Sequence, residues 1–141
     1  MDIDVESLHY HFFSKPLVVG GKAKEYYGIR KSGEDTDLIV TTKDYQRLAR
    51  MYPNNLRDLW GDLGVVIHGF EIWRTICLFG YDFLVIGAIE QSLYKIISLE
   101  KLLFLTAMGV QQPKYAHDLK LIVKKILDLQ YKDFDDSKYR K

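Results

Sequence analysis

The run Val18-Val19-Gly20-Gly21, followed by Gly28-Ile29-Arg30-Lys31-Ser32-Gly33-Glu34-Asp35-Thr36-Asp37-Leu38-Ile39-Val40, constrains this chain more than any other stretch. Apolar β-branched residues running into Gly-Gly, a short helical segment and an Asp-x-Asp opening onto Leu-Ile-Val predict strand, turn, helix, strand. Glycines let the backbone turn sharply and approach a ligand closely, and the start of the following helix aims unpaired N–H groups at an anion. Alternate residues of a strand point the same way, so Asp35 and Asp37 are expected to share a face with β-carbons roughly 7 Å apart. Such a carboxylate pair suits Mg²⁺, which takes hard oxygen ligands and usually completes its shell with water and substrate phosphates. A phosphate cradle beside a divalent-metal site is nucleotide chemistry.

Bulk properties narrow the setting of that site. A chain of 141 residues with 48% hydrophobic content is most simply one domain with a real core, and the expected domain spans residues 1–132, with 133–141 as a polar tail. Twenty basic and nineteen acidic residues leave a formal net charge of +1. No overall field therefore suggests a nucleic-acid coat or a membrane anchor, and any charged site must be local. The single Cys77 has no disulfide partner within the chain and no companions for a Cys-based zinc cluster, which fits a reducing compartment. Asp2, Asp4 and Glu6 stand where a signal peptide would be basic, and the apolar runs are too short or interrupted to span a bilayer. The expectation is a cytoplasmic protein with no membrane segment.

Loops are expected at Met51-Tyr52-Pro53-Asn54-Asn55 and Gly109-Val110-Gln111-Gln112-Pro113. Before the first, the pattern predicts strand 17–19, helix 22–27, strand 36–40 and a helix from about Lys43 to Tyr52. Thr42 is the expected N-cap, and Tyr45, Leu48, Ala49 and Tyr52 lie on one face. Between the loops, Val65 to Ile67 and Phe70 to Ile76 predict two strands turning about Gly69, then a short helix within Tyr81 to Leu93 and a strand over 95–97. After them, Ser98 caps a helix running to Gly109. A second helix, from Pro113 to Tyr131, presents Tyr115, Leu119, Ile122, Ile126 and Leu129 to the core. The fold class is α/β in the α+β sense: a mixed β-sheet flanked by helices, with a C-terminal αα-hairpin.

Around the carboxylates, the guanidinium of Arg30 can neutralise a phosphate, and the hydroxyl of Ser32 can bond another oxygen or the loop backbone. Gly-Gly-x-Ala, then Gly-x-Arg-x-Ser, then Asp-x-Asp followed by apolar residues resembles the nucleotidyltransferase superfamily related to DNA polymerase β, whose minimal members are closest in size. The likeness extends to Phe70-Glu71-Ile72-Trp73, where the family places a strand with a third carboxylate. It continues to Ser98-Leu99-Glu100-Lys101-Leu102-Leu103 and Lys114-Tyr115-Ala116-His117-Asp118-Leu119, covering about two thirds of the chain.

What the resemblance implies is transfer of a nucleoside monophosphate from an NTP donor to a hydroxyl, with release of pyrophosphate. Asp35 and Asp37 would be catalytic and hold Mg²⁺, with Mn²⁺ as the alternative ion. Glu71 would be the third ligand, with Asp82 as its alternative. Gly20, Gly21, Arg30, Ser32 and Lys114 would contact the nucleotide. The acceptor is open between a small molecule, a protein hydroxyl and an RNA end, and a protein partner or a second copy of the chain would cover a shallow cleft. A second function class is a catalytically degenerate module of the same fold that binds a nucleotide or a partner, as antitoxin partners of small helical toxins do. An intact third acidic position favours the enzyme, and Trp73 in its place favours degeneracy.

Overall fold

A computed structural model describes residues 2–59 and 62–131; the tail expected at 133–141 lies outside them. The chain falls into two compact units, Met1–Leu102 and Leu103–Lys141. The first is built on a seven-stranded mixed sheet of order β3-β4-β5-β2-β1-β9-β8. Its strands are β1 (Leu17–Val19), β2 (Thr36–Ile39), β3 (Leu56–Leu59), β4 (Asp62–Ile67), β5 (Phe70–Trp73), β8 (Ile89–Glu90) and β9 (Lys95–Ile96). β2 runs parallel to β5, and β1 to β9; the other neighbours are antiparallel. The mixed α+β architecture expected from the sequence is present.

The register explains why the sheet holds. Ile96, Val18, Leu38, Ile72 and Val65 are successive partners across five strands, so they form one row on one face, and all five are fully buried. Burying each such side chain contributes about 1.5–3 kcal/mol. The adjacent row, Val19, Asp37, Glu71 and Val66, must point to the opposite face because side chains alternate along every strand. The two half-buried carboxylates thus lie on the face opposite that row, beside the buried Val19, Ile39 and Trp73 of the same strands.

Helix α1 (Gly20–Tyr26) begins on the glycine pair itself, two residues before the expected start, and packs on β1 and β2. Helix α2 (Thr42–Met51) is capped by Thr41, not by the expected Thr42: the Thr41 side-chain oxygen accepts from the Asp44 N–H at 3.2 Å. Asp44, the fourth residue of that Thr-x-x-Asp pattern, is fully buried. Its carboxylate accepts from the Tyr10 hydroxyl at 2.7 Å, the Thr41 hydroxyl at 3.0 Å, and the backbone N–H groups of Phe13 at 3.0 Å and Ser14 at 3.3 Å. One carboxylate thereby fastens the N-terminal segment to α2.

The strand expected over Phe70 to Ile76 is two strands. The Val40 N–H donates to the Trp73 carbonyl at the end of the β2–β5 ladder; the chain then bends at Arg74, and β6 (Thr75–Ile76) leaves the large sheet to pair with β7 (Phe79–Gly80). The turn between them carries Cys77 and Leu78 at positive φ. The expected short helix is α3 (Tyr81–Leu84), and Ser98 caps α4 (Leu99–Met108) by accepting from the Lys101 N–H. Strands β3, β7 and β8 were not expected. Of the aromatic side chains, Phe70 and Trp73 are buried, whereas Phe13 and Tyr26 are exposed.

In the second unit, α5 (Pro113–Gln130) follows a turn at Gly109. Ile122 on its expected core stripe is buried, Tyr115, Leu119 and Ile126 are half-buried, and Leu129 is exposed. Asp118 is buried, and Lys124 and Asp128 make an exposed i,i+4 ion pair at 2.7 Å. No described helix is long and apolar enough to cross a membrane.

Tyrosine hydroxyls close several joints of the first unit. Tyr27 donates to the Ile97 carbonyl, Tyr45 to Leu63, Tyr52 to Leu8 and Tyr81 to Lys15, all within 2.9 Å. Burial pushes the Tyr27 phenol up to about 12 and raises Tyr45 and Tyr81 as well. Burial also raises Tyr10, together with its bond to the Asp44 carboxylate. A pKa raised by folding means that the folded chain keeps its proton while the unfolded chain sheds it, so stability is intact below the ordinary tyrosine value of about 10 and falls above it. The urea midpoint is therefore expected to decline from about pH 10 towards 12, less steeply in Tyr27→Phe. An unchanged alkaline slope in that variant would assign the loss to other groups.

Candidate functional site

The acidic row sits where two strands of different origin meet. β2 supplies Asp37, and β5, arriving from the β4–β5 hairpin, supplies Glu71 as its direct partner in parallel register. That hairpin turns on His68 and Gly69, both at positive φ, and the Thr36 N–H donates to the Gly69 carbonyl at 2.8 Å. This bond locks the start of β2 to the start of β5, so the two carboxylates are placed side by side by backbone pairing. Both residues are half-buried. Val19, the Asp37 partner on β1, leads directly into Gly20.

Gly20 is required twice over. Its φ is +62°, and a Cβ built there would overlap Asp37 Oδ2 and stand 3.0 Å from Asp37 Cγ. No side chain fits without displacing that carboxylate. Gly21 faces the other half of the expected cradle: its Cβ would lie 3.4 Å from the Ser32 Cβ and 3.8 Å from Arg30 Nη1. The first two residues of α1 thus back onto the acidic row and onto the loop before β2.

That loop is held by α1 in a way the sequence did not announce. Glu25 Oε1 accepts from both the Ser32 N–H and the Ser32 hydroxyl, each at 3.1 Å. These two bonds hold the Glu25 carboxyl below its ordinary value. Lys22 Nζ donates to the Gly33 carbonyl at 2.8 Å, and Arg30 Nη1 to the Lys31 carbonyl at 3.0 Å. The hydroxyl expected to meet a phosphate or the backbone is held by a carboxylate. Glu25 precedes Ser32 across a chain reversal at Gly28, whose φ is +72°, so no local spacing rule would have found the contact. Asp44 differs: Thr41-x-x-Asp44 before an apolar run is close to the capping-box pattern and was readable in advance.

The other expected site residues are placed as follows. Asp35 lies immediately before β2 and is exposed, so Asp37 alone of the pair is within the strand. Asp82 is exposed in the first turn of α3, outside the sheet, whereas Glu71 is the strand partner of Asp37. Trp73 shares a face with Glu71 by alternation but is only 7% exposed and pairs with Ile39; it fills core space. Lys114 is exposed on the first turn of α5, in the second unit, with its Nζ 5.4 Å from the Tyr115 ring centroid.

Among the described residues no group of three or more His, Cys, Asp or Glu side chains is gathered to hold a metal ion. A magnesium ion needs only one or two protein carboxylates, and the Asp37–Glu71 pair offers two on neighbouring strands. The donor set therefore suits a single ion completed by a ligand's oxygens better than a pair of ions about 3.5–4 Å apart with three protein carboxylates. Fold and site together define a mixed α+β protein with a glycine-backed acidic pair at the centre of its sheet. No protein-family model, curated protein or solved structure matches the chain.

Proposed function

We propose that this chain is a nucleotidyltransferase-like protein, with α4 and α5 as its C-terminal αα-hairpin, that transfers a nucleoside monophosphate from an NTP to a hydroxyl in the presence of Mg²⁺. The observation that carries this reading is the fit of Gly20 to Asp37: a left-handed glycine whose missing side chain makes room for a carboxylate that is itself paired with Glu71. A glycine cradle, an acidic pair and an arginine-bearing loop converge on one edge of α1, as binding and activating a triphosphate would require. Mn²⁺ would satisfy the same oxygens.

When bound, the ion would offset charge developing on the phosphoryl oxygens. Asp37 and Glu71 would hold it, with Asp35 closing from the strand entrance. Gly20 and Gly21 would let the backbone approach the phosphates, and Arg30 would neutralise them. Ser32, fixed by Glu25, would set the height of the loop. The acceptor hydroxyl belongs to a small molecule, a protein or an RNA end.

Calorimetry with NTP, with and without Mg²⁺, tests the reading against an Asp35→Asn, Asp37→Asn double variant. Magnesium-dependent binding is expected in the wild type and absent from the variant, which should melt at the same temperature or slightly higher once carboxylate repulsion is relieved. Glu71→Gln should depress turnover far more than binding, while Asp82→Asn should leave both nearly unchanged. A folded double variant that binds as the wild type does would remove the site from consideration.

The second reading is a catalytically degenerate module of the same fold. The missing three-carboxylate cluster among the described residues and the packing role of Trp73 favour it. It predicts a folded wild type that turns over no NTP even when Mg²⁺ and nucleotide are both saturating.

A further inference from the structure

In this near-neutral chain, α2 carries a face on which positive charge is concentrated. Helix α2 has a single acidic residue, Asp44, and that carboxylate is turned inward and satisfied by four donors. Its exposed residues include Lys43, Arg47 and Arg50, spaced i, i+4 and i+7 and so spread over about 10 Å of one side of the helix. Among the described residues none of the three enters an ion pair. Against this row lies Phe13, 51% exposed, with Lys43 Nζ 3.9 Å and Arg47 Cζ 4.5 Å from its ring centroid.

The ring is held in place by the Asp44 clasp, because the Phe13 N–H is one of the four donors. A buried carboxylate thus positions an exposed aromatic, and the aromatic in turn gathers two cations by cation–π attraction. Cations held in advance lose less freedom on meeting an anion than the same side chains in solvent. Both guanidinium groups present planar forks suited to phosphate oxygens. A row of cations interleaved with an aromatic ring serves single strands, whose bases are free to stack while the phosphates track the charge. A membrane surface would call for a broad apolar face beside the cations, and here the exposed large apolar groups on or against α2 are the Phe13 ring and the Met51 side chain.

We propose that the Phe13–α2 face binds single-stranded nucleic acid, with Lys43, Arg47 and Arg50 on the phosphates and the edge or free area of Phe13 against a base. The site is independent of the nucleotide chemistry proposed above, and its residues are not among those assigned there.

Fluorescence anisotropy with a labelled oligouridine of about 12 nucleotides, within the range of single-strand site sizes, tests this on the full chain. Its thymidine counterpart, a polyglutamate peptide and anionic vesicles serve as comparisons. Binding to oligouridine, oligothymidine or both is expected to weaken with salt at a log–log slope of about −2, as three phosphate contacts on a single strand predict. The Lys43→Gln, Arg47→Gln, Arg50→Gln triple variant should lose at least about tenfold in affinity, and Phe13→Leu about tenfold through the lost contact of the ring with a base and the lost hold on Lys43 and Arg47. Both should keep the wild-type melting temperature, since the altered side chains are exposed and the Phe13 N–H is retained. Any of three results overturns the proposal: no binding of either strand by the wild type, equal binding by the triple variant, or tighter binding of polyglutamate or vesicles than of both oligonucleotides.

Discussion

Replacing Asp44 with alanine is expected to lower unfolding free energy by about 3–5 kcal/mol, the range for breaking a buried, fully hydrogen-bonded ionic group. The carboxylate is fully buried and accepts from Tyr10, Phe13, Ser14 and Thr41. Alanine would leave all four donors facing a cavity and release the segment that contains three of them. For a chain of this length the corresponding drop in melting temperature is about 10–20 °C. Asparagine keeps the shape and one acceptor oxygen but turns an NH₂ group towards donors, so its loss should fall between those of alanine and wild type. Scanning calorimetry on the three proteins reads the order directly. A melting point for Asp44→Ala within about 2 °C of wild type would show that water replaces the carboxylate at little cost.

Gly20→Ala should produce the largest functional effect of any single methyl group in the chain. The left-handed backbone at φ +62° costs an alanine about 1–2 kcal/mol, and the added Cβ must also push aside the Asp37 carboxylate. Stability is expected to fall by about 2–4 kcal/mol as strain and overpacking combine, and magnesium-dependent NTP binding should disappear. Two neighbours calibrate the result. Gly21→Ala meets Ser32 Cβ at 3.4 Å and should weaken binding mildly, while at Gly33 an added Cβ meets nothing within 4 Å. A Gly20→Ala protein that binds nucleotide as Gly33→Ala does would show that Asp37 need not stay where it is.

How much of this was readable in advance divides along physical lines. Elements set by local chemistry were legible: the strand into Gly20, the helices around Leu48 and Ile122, the cap at Ser98, the hairpin about Gly69. β3 and β8 escaped because neither is apolar enough to declare itself. β3 reads Leu-Arg-Asp-Leu and β8 is two residues long, and both owe their existence to an edge that another strand offers. The break after Trp73 escaped for the opposite reason, since the β-rich run through Ile76 gives no sign of where its partner stops. In the candidate site, Gly20 and Asp37 follow from motif and alternation, and Glu71 was offered by the family resemblance, with Asp82 as its alternative. Their adjacency comes from a parallel register no sequence spacing encodes, and the Glu25 grip on Ser32 from a fold-back of the same kind.

The parallel pairing of β1 with β9 sets an order on how the molecule is made. Leu17, already paired with Ile39 on one side, finds its second partner at Lys95, and Val18, paired with Leu38, finds its second at Ile96. During synthesis the hairpins β3–β4 and β4–β5 can close as soon as they leave the ribosome, and β1 can pair with β2. The strand that leads into Gly20, however, waits with one side open until residues 95 and 96 have been translated. Long-range closures of this kind are slow and leave an unpaired apolar edge for the interval. Residues 17–18 are therefore sealed on their second side only after residues 95–96 have emerged, and until then they form a point at which a nascent chain needs shielding from its neighbours.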